Sequence, residues 1–418
     1  MPKRLRAVDL LRRKPVWIAP IAIGVVLIGL MTTLYLGSAV DPIDHMHGLP
    51  VSLVVEDQPP TPTLGGNEID AGATLMKALL DSPEVSKKLA IHVESMAAAE
   101  DRMDRGASYA MLVVPPSFSR DANSSSRAAI PAVELLSNQR AGTTGASLAS
   151  GVLTPAVKAF SEAVKTPVIV EASQYHPLPA KAALGLSAFY TSLLILMSGF
   201  IGATIVNSFL DGALGFAPTE IGPKWAMSRP TLISRWETLL AKWAMAVVLT
   251  GLFVAVFLLV AVGILGMDAP SPLLLWVYGW FGAATVAIGT LALFAVIGTP
   301  GQLVALLLFV YLGLASAGGT VPIQALPGFF GAISHADPLR QILGGVRSIL
   351  YLEARADAGL AEGAIATAIG LLFWLGFGAF FTRRYDKAGR DRLDPEVLTY
   401  VHESADAYRD QHPDPRST

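Results

Sequence analysis

The sequence predicts a polytopic α-helical membrane protein with an extracytoplasmic α/β domain inserted after its first helix. Three observations carry this expectation. The 418 residues are 52% hydrophobic and only 15% charged, whereas soluble globular chains carry roughly a quarter charged residues. The apolar residues gather in blocks near the length of about 20 residues that a bilayer crossing needs. One stretch of ordinary polarity, residues 37–182, stands between the first block and the rest. The net charge of −2 offers no electrostatic case for nucleic acid. The absence of cysteine excludes disulfides, thiolate metal sites and a cysteine nucleophile.

Uncharged apolar blocks lie at 16–36, 183–207, 243–265, 273–297, 301–318 and 363–381, which predicts six crossings, one plus five. None contains Asp, Glu, Lys, Arg or His, as the cost of burying charge in lipid requires. Basic residues flank alternate ends of the blocks. Lys3, Arg4, Arg6, Arg12, Arg13 and Lys14 precede the first, and Lys224, Arg229, Arg235 and Lys242 follow the second. Arg383, Arg384, Lys387, Arg390 and Arg392 follow the sixth, while 266–272 has no positive charge. Both termini are therefore expected in the cytoplasm. The basic N-terminus is assigned to 1–15 and a disordered cytoplasmic tail to 382–418. Gly37-Ser38-Ala39 resembles a signal-peptide cleavage site, but the preceding apolar run exceeds a usual signal core, so an uncleaved anchor is expected.

Residues 37–182 read as an extracytoplasmic domain large enough for its own core. Strands are expected at 51–55, 109–114, 132–136 and 167–171, and helices at 70–80 and 144–164, the latter containing Pro155. Asp44-His45-Met46-His47 could supply two imidazoles to a metal, but no third or fourth ligand is evident, and a polar linker explains it better. Ser117 and Ser119 lack a nucleophile elbow around them and read as a turn at a strand end.

Catalytic motifs are missing. No Gly-x-x-x-x-Gly-Lys-Ser/Thr and no His-Glu-x-x-His occurs, so the chain is not expected to be an enzyme or to hydrolyse ATP itself. No catalytic, cofactor or metal residue is singled out. Spans without ionisable residues disfavour ion-coupled transport and point to energy from a partner.

Two segments of the membrane domain, 183–381, ask for explanation. The loop 208–237 interleaves glycine, proline, aromatic and basic residues, with Glu220, Pro223, Lys224, Trp225, Arg229 and Arg235 as its candidate contacts. It is expected to form a short interfacial helix, with Trp225 and Trp236 at the headgroups or docked on a cytoplasmic partner. The segment 318–350 holds Gly318, Gly319, Pro322, Pro327, Phe329, Pro338, Arg340 and Arg347. Its pieces are apolar but too short to cross, and it is expected to be re-entrant, capping the outer end of the bundle or gating an exit.

Taken together, this layout resembles a known family. The Val54-Val55-Glu56-Asp57 strand end, the run Gly106 to Pro116 followed by Ser117-Phe118-Ser119, and Gly318-Gly319-Thr320-Val321-Pro322-Ile323 with Leu326-Pro327-Gly328-Phe329-Phe330 carry the resemblance. They are similar to phage infection proteins of the YhgE/Pip type, within the type-2 ABC exporter permeases. The short outside domain favours the smaller, nitrosoguanidine-resistance-like branch. The resemblance implies a dimeric half-transporter in the plasma membrane that exports a hydrophobic compound or cell-envelope component. A separate ATP-binding-cassette ATPase would engage the 208–237 loop, and 318–350 would gate the outside. Membrane lipid is an expected partner and nucleic acid is not. The alternative is a non-transporting envelope scaffold, or a secretion-accessory protein, acting through residues 37–182.

Overall fold

The computed structural model describes residues 14–39, 41–58, 69–124, 129–228, 230–390, 392, 399–400 and 403. They divide into two compact units, one of residues 1–178 and 311–340, the other of 179–310 and 341–418.

The first unit opens with helix α1 (Lys14–Ala39), apolar from Ile21 onward and largely exposed. A five-stranded sheet follows, built from β1 (Leu49–Val55), β2 (Leu89–Val93), β3 (Ala110–Val114), β4 (Ala132–Ser137) and β5 (Ile169–Gln174). The strand order is β2-β1-β3-β4-β5, and only the β3–β4 pairing is antiparallel. Helices α2 (Ala71–Asp81), α3 (Pro83–Lys88), α4 (Met96–Asp104), α5 (Phe118–Ala122) and α6 (Thr143–Val164) connect the strands.

Alternation along the strands sorts the core into two layers. Val51, Leu53, Leu112, Val114, Val133 and Leu135 face a core that holds Leu75 and Leu79 of α2, Phe118, and Leu153 and Val157 of α6. Val54, Met111 and Val113 face the opposite layer with Ala99 and Met103 of α4. Strand β2 escaped the sequence reading because Leu-Ala-Ile-His-Val follows two lysines and carries no turn signal. Asp57 is a structural hub. Its carboxylate accepts hydrogen bonds from Gly72 N (3.0 Å) at the start of α2 and from Ser119 N (2.8 Å) and Oγ. Ser119 Oγ in turn accepts from Ala71 N at 2.8 Å. The Ser-x-Ser turn thus joins two helix starts. Met46 is buried in the same core, while His45 and His47 meet backbone carbonyls.

A late segment completes this unit. Val321 and Ala325 pack into the sheet core, and His47 N donates to Gln324 O at 2.9 Å. Helix α11 (Gly328–Ser334) follows, with Phe330 packed beside Leu34 of α1.

The second unit is a helical bundle of α7 (Ser187–Ala213), α8 (Arg235–Leu258, extended by a π turn to Ile264), α9 (Pro272–Ile297) and α13 (Ala361–Lys387). Helix α9 is its centre, packed against α7, α8 and α13 and buried around most of its circumference. Small residues let it approach its neighbours closely. A Cβ on Gly199 of α7 would lie 2.4 Å from Ala283 O of α9. Tryptophans pin the bundle: Trp243 Nε1 donates to Ile288 O, Trp276 Nε1 to Gly251 O and Trp280 Nε1 to Val247 O.

Five helices among the described residues are long and apolar enough to cross a bilayer: Ile21–Ala39, Ser187–Ala213, Arg235–Ile264, Pro272–Ile297 and Ala356–Lys387. The fifth expected block, 301–318, forms α10 (Gly301–Ser316), which is shorter. At 1.5 Å per residue it spans about 24 Å, less than the roughly 30 Å hydrocarbon core. Helix α12 (Pro338–Tyr351) follows α11 and runs from the first unit into the second.

Candidate coupling site at one end of the helical bundle

The site grows from the connection between α7 and α8. Pro218, Pro223 and Pro230 interrupt this stretch, so no helix propagates through it. Instead of the expected short helix, β6 (Thr219–Ile221) and β7 (Lys224–Ala226) form an antiparallel hairpin. Ile221 pairs with Lys224, which leaves Gly222-Pro223 as a two-residue turn. Proline cannot take positive φ, so of the two turns that match strand twist only type II′ is open, with glycine first. Gly222 has φ +59°. Glu220, Gly222 and Pro223 are exposed, and Glu220 faces Trp225 in register. Arg229 lies outside the described residues.

The chain then re-enters a helix through Ser234, the N-cap, whose hydroxyl accepts from Glu237 N at 3.1 Å. Arg235 is the first residue of α8. Its N–H and that of Trp236 both donate to Asp386 of α13, at 2.9 and 3.0 Å. Arg235 Nε also donates to Arg390 O at 2.7 Å. The start of α8 is thus clamped to the end of α13.

Beside this clamp lies a buried ionic node that the block boundaries at 207 and 243 concealed. The folded helices extend past those boundaries and take in Asp211 at the end of α7 and Lys242 on the second turn of α8. Both lie outside the blocks 183–207 and 243–265, which themselves hold no charge. Lys242 Nζ donates to Asp211 Oδ1 and to Asn207 Oδ1, each at 2.7 Å. Arg392 grips the same carboxylate with both terminal nitrogens, Nη2 to Oδ2 at 2.9 Å, and stacks over Phe216. The Lys242 and Asp211 side chains are only 6% and 10% exposed. A polar cavity of about 280 Å³ opens on this node, lined also by Arg235, Thr238, Thr299 and Gln302. The sequence signal was available: a carboxylate four residues past one apolar block, and a lysine immediately before the next.

Among the described residues no group of three or more His, Cys, Asp or Glu could hold a metal. The node can hold helices rigidly together, because moving α7, α8 or Arg392 alone would strand a buried charge.

The expected outer group is placed differently. Gly318 takes φ +70°. Pro322 leads into the 3₁₀ turn Ile323–Ala325, and Pro327 is the N-cap of α11. Gly319 follows Gly318 ahead of the 3₁₀ turn, and Phe329 is 62% exposed. Pro338 opens α12, and Arg340 donates to Ser334 Oγ at 2.7 Å. These seven residues lie in the first unit, whereas Arg347, farther along α12, lies in the second. Sequence reading passed over Asp337, which caps α12. Its carboxylate is buried and accepts from Leu339 N (2.8 Å) and Ser316 Oγ (3.2 Å). Within the second unit, Tyr351 at the end of α12 meets Ser187 at the start of α7, its hydroxyl 2.6 Å from Ser187 Oγ. The start of α7 and its Asp211 end are about 36 Å apart by helical rise.

Long apolar helices around a central buried one, with a charged node at one end, define a multi-pass helical membrane protein. The profile of the ABC-2 family transporter proteins matches residues 14–382. The chain belongs to that family, and so to the membrane permeases of ABC exporters. No curated protein and no solved structure matches the chain.

Proposed function

We propose that this permease exports a hydrophobic compound or cell-envelope component, driven by a separate ATPase that docks on the Gly222-Pro223 hairpin. The observation that carries this reading is mechanical. The hairpin connects two helices that Asp211, Lys242 and Arg392 tie together in their buried ends, and Asp386 ties the same point to α13. A push on the hairpin therefore reaches α7, α8 and α13 at once. Glu220, Pro223, Lys224, Trp225, Arg229 and Arg235 form the contact region. With α10 as a short sixth crossing, both termini and the hairpin are cytoplasmic and the sheet domain of 37–182 is outside.

The segment 318–340 serves as an outer gate. Its anchoring in the sheet core by Val321 and Ala325 supports a gate that moves with that domain. A homodimer would give two such bundles and a lateral path for lipid-like cargo, as the resemblance to the small nitrosoguanidine-resistance-like branch implies.

The test is co-purification of the full chain with candidate ATPases in mild detergent, comparing the unmodified protein with Glu220→Ala/Pro223→Ala/Arg235→Ala. An ATPase held by the first and lost at least about 10-fold by the second, the loss of about 1.4 kcal/mol, supports the reading. If the chain retains no ATPase and the substituted hairpin leaves export unchanged, the reading fails. Lost function on deleting 45–175, with all export intact, would instead mark an envelope scaffold.

A further inference from the structure

The last helix carries a feature that coupling does not use. On α13, Phe380, Arg383, Arg384 and Lys387 are spaced i, i+3, i+4 and i+7, so one face presents them together. With Ala379 they line an open surface pocket of about 410 Å³. All three cations are exposed. Among the described residues none of them pairs with a carboxylate; the adjacent Asp386 is turned toward the backbone of Arg235 and Trp236. The Arg383 guanidinium is held 4.3 Å over the Trp236 ring, which orients it and leaves its N–H edges open.

We infer that this pocket is a binding site for the phosphate headgroup of an anionic phospholipid in the leaflet at that end of the bundle. Charge complementarity selects the headgroup: three cations, unpaired among the described residues, outweigh the half charge of the helix C-terminus they stand on. Continuity selects a lipid over a soluble partner. The same face runs back through Phe373, Leu372, Ile369 and Ile365, each more than half exposed. Gly376 leaves open space among them. An acyl chain can lie along this apolar row while its phosphate sits among the cations. A soluble protein could cover the basic end alone, but not a row reaching into hydrocarbon. The four site residues span about 10 Å along the axis, more than the roughly 5–7.5 Å of one headgroup layer, so Phe380 can meet acyl chain while the cations meet phosphate. The inference is independent of any ATPase.

The test uses the full chain in mild detergent and reads retained lipid by native mass spectrometry. Phosphatidylglycerol and phosphatidylcholine are the probes, and inorganic phosphate is assayed separately by thermal stabilisation. The unmodified protein should retain phosphatidylglycerol in preference to phosphatidylcholine. Arg384→Gln/Lys387→Gln should bind it about 30-fold more weakly, the expected effect of two interfacial cations. Lys87→Gln/Lys158→Gln, which removes two exposed cations elsewhere, should match the unmodified protein. A salt titration on the unmodified protein needs no variant, and added salt should release phosphatidylglycerol first. Three results would overturn the site. The first is equal retention by the double variant together with salt-insensitive binding. The second is stabilisation by inorganic phosphate as large as that by lipid, which would mean a free anion. The third is loss of a co-purifying ATPase from the double variant with lipid retained, which would mean a protein-docking face.

Discussion

Asp211 and Lys242 occupy positions where isolated charge would be expensive, and each is tolerable because the other is 2.7 Å away. Removing one partner costs more than removing both, since it leaves a buried charge uncompensated. Asp211→Ala is therefore expected to destabilise the bundle by about 3 kcal/mol. Asp211→Ala/Lys242→Met should recover a substantial part of that loss, as thermal unfolding of the purified protein would reveal. Asp337 poses a different problem. Burial pushes its carboxyl from the ordinary 3.8 up to about 7, against the opposing hydrogen bonds from Leu339, Ser316 and Arg340. The folded state therefore holds this proton more tightly than the unfolded state. Its contribution to stability is complete below about pH 4 and is lost as pH rises to about 7, up to about 4 kcal/mol. Unfolding temperature should be higher near about pH 5 than near about pH 8, and Asp337→Asn, which keeps a capping side chain, should flatten that difference.

Among the elements, the strands at 51–55, 109–114 and 132–136 and the helix at 144–164 were legible, because period-two and period-3.6 patterns survive in a domain with one core. The hairpin at 219–226 was not read as one, because interleaved aromatic and basic residues suggest an interfacial helix. What decides against it is the Gly222-Pro223 pair, which starts a tight turn and stops a helix. Gly222→Ala should strain that turn by about 1 kcal/mol, so ATPase recovery should fall while the bundle's unfolding temperature stays unchanged. Gly199→Val is expected to act on the bundle instead. Its side chain would strike Ala283 O, so a loss of about 2 kcal/mol or more in thermal unfolding is predicted. The charged node was invisible as a node, since Asp211, Lys242 and Arg392 are 31 and 150 residues apart along the chain.

For the whole molecule, topology is directly testable because the chain has no cysteine. A single Lys158→Cys, in the sheet domain, should react with a membrane-impermeant maleimide on intact cells. Glu220→Cys, on the hairpin, should react only after permeabilisation; the reverse pattern would invert the proposed orientation. The sequence alone determined the class of this protein, because lipid tolerates only long uncharged runs and such runs are visible in one dimension. Tertiary structure alone decided which charges are buried together, that residues 219–226 turn as a hairpin, and that Val321 and Ala325 join a core begun at Met46. Those outcomes depend on which distant side chains meet. A sequence pattern records the period of one element but not its partners across the fold.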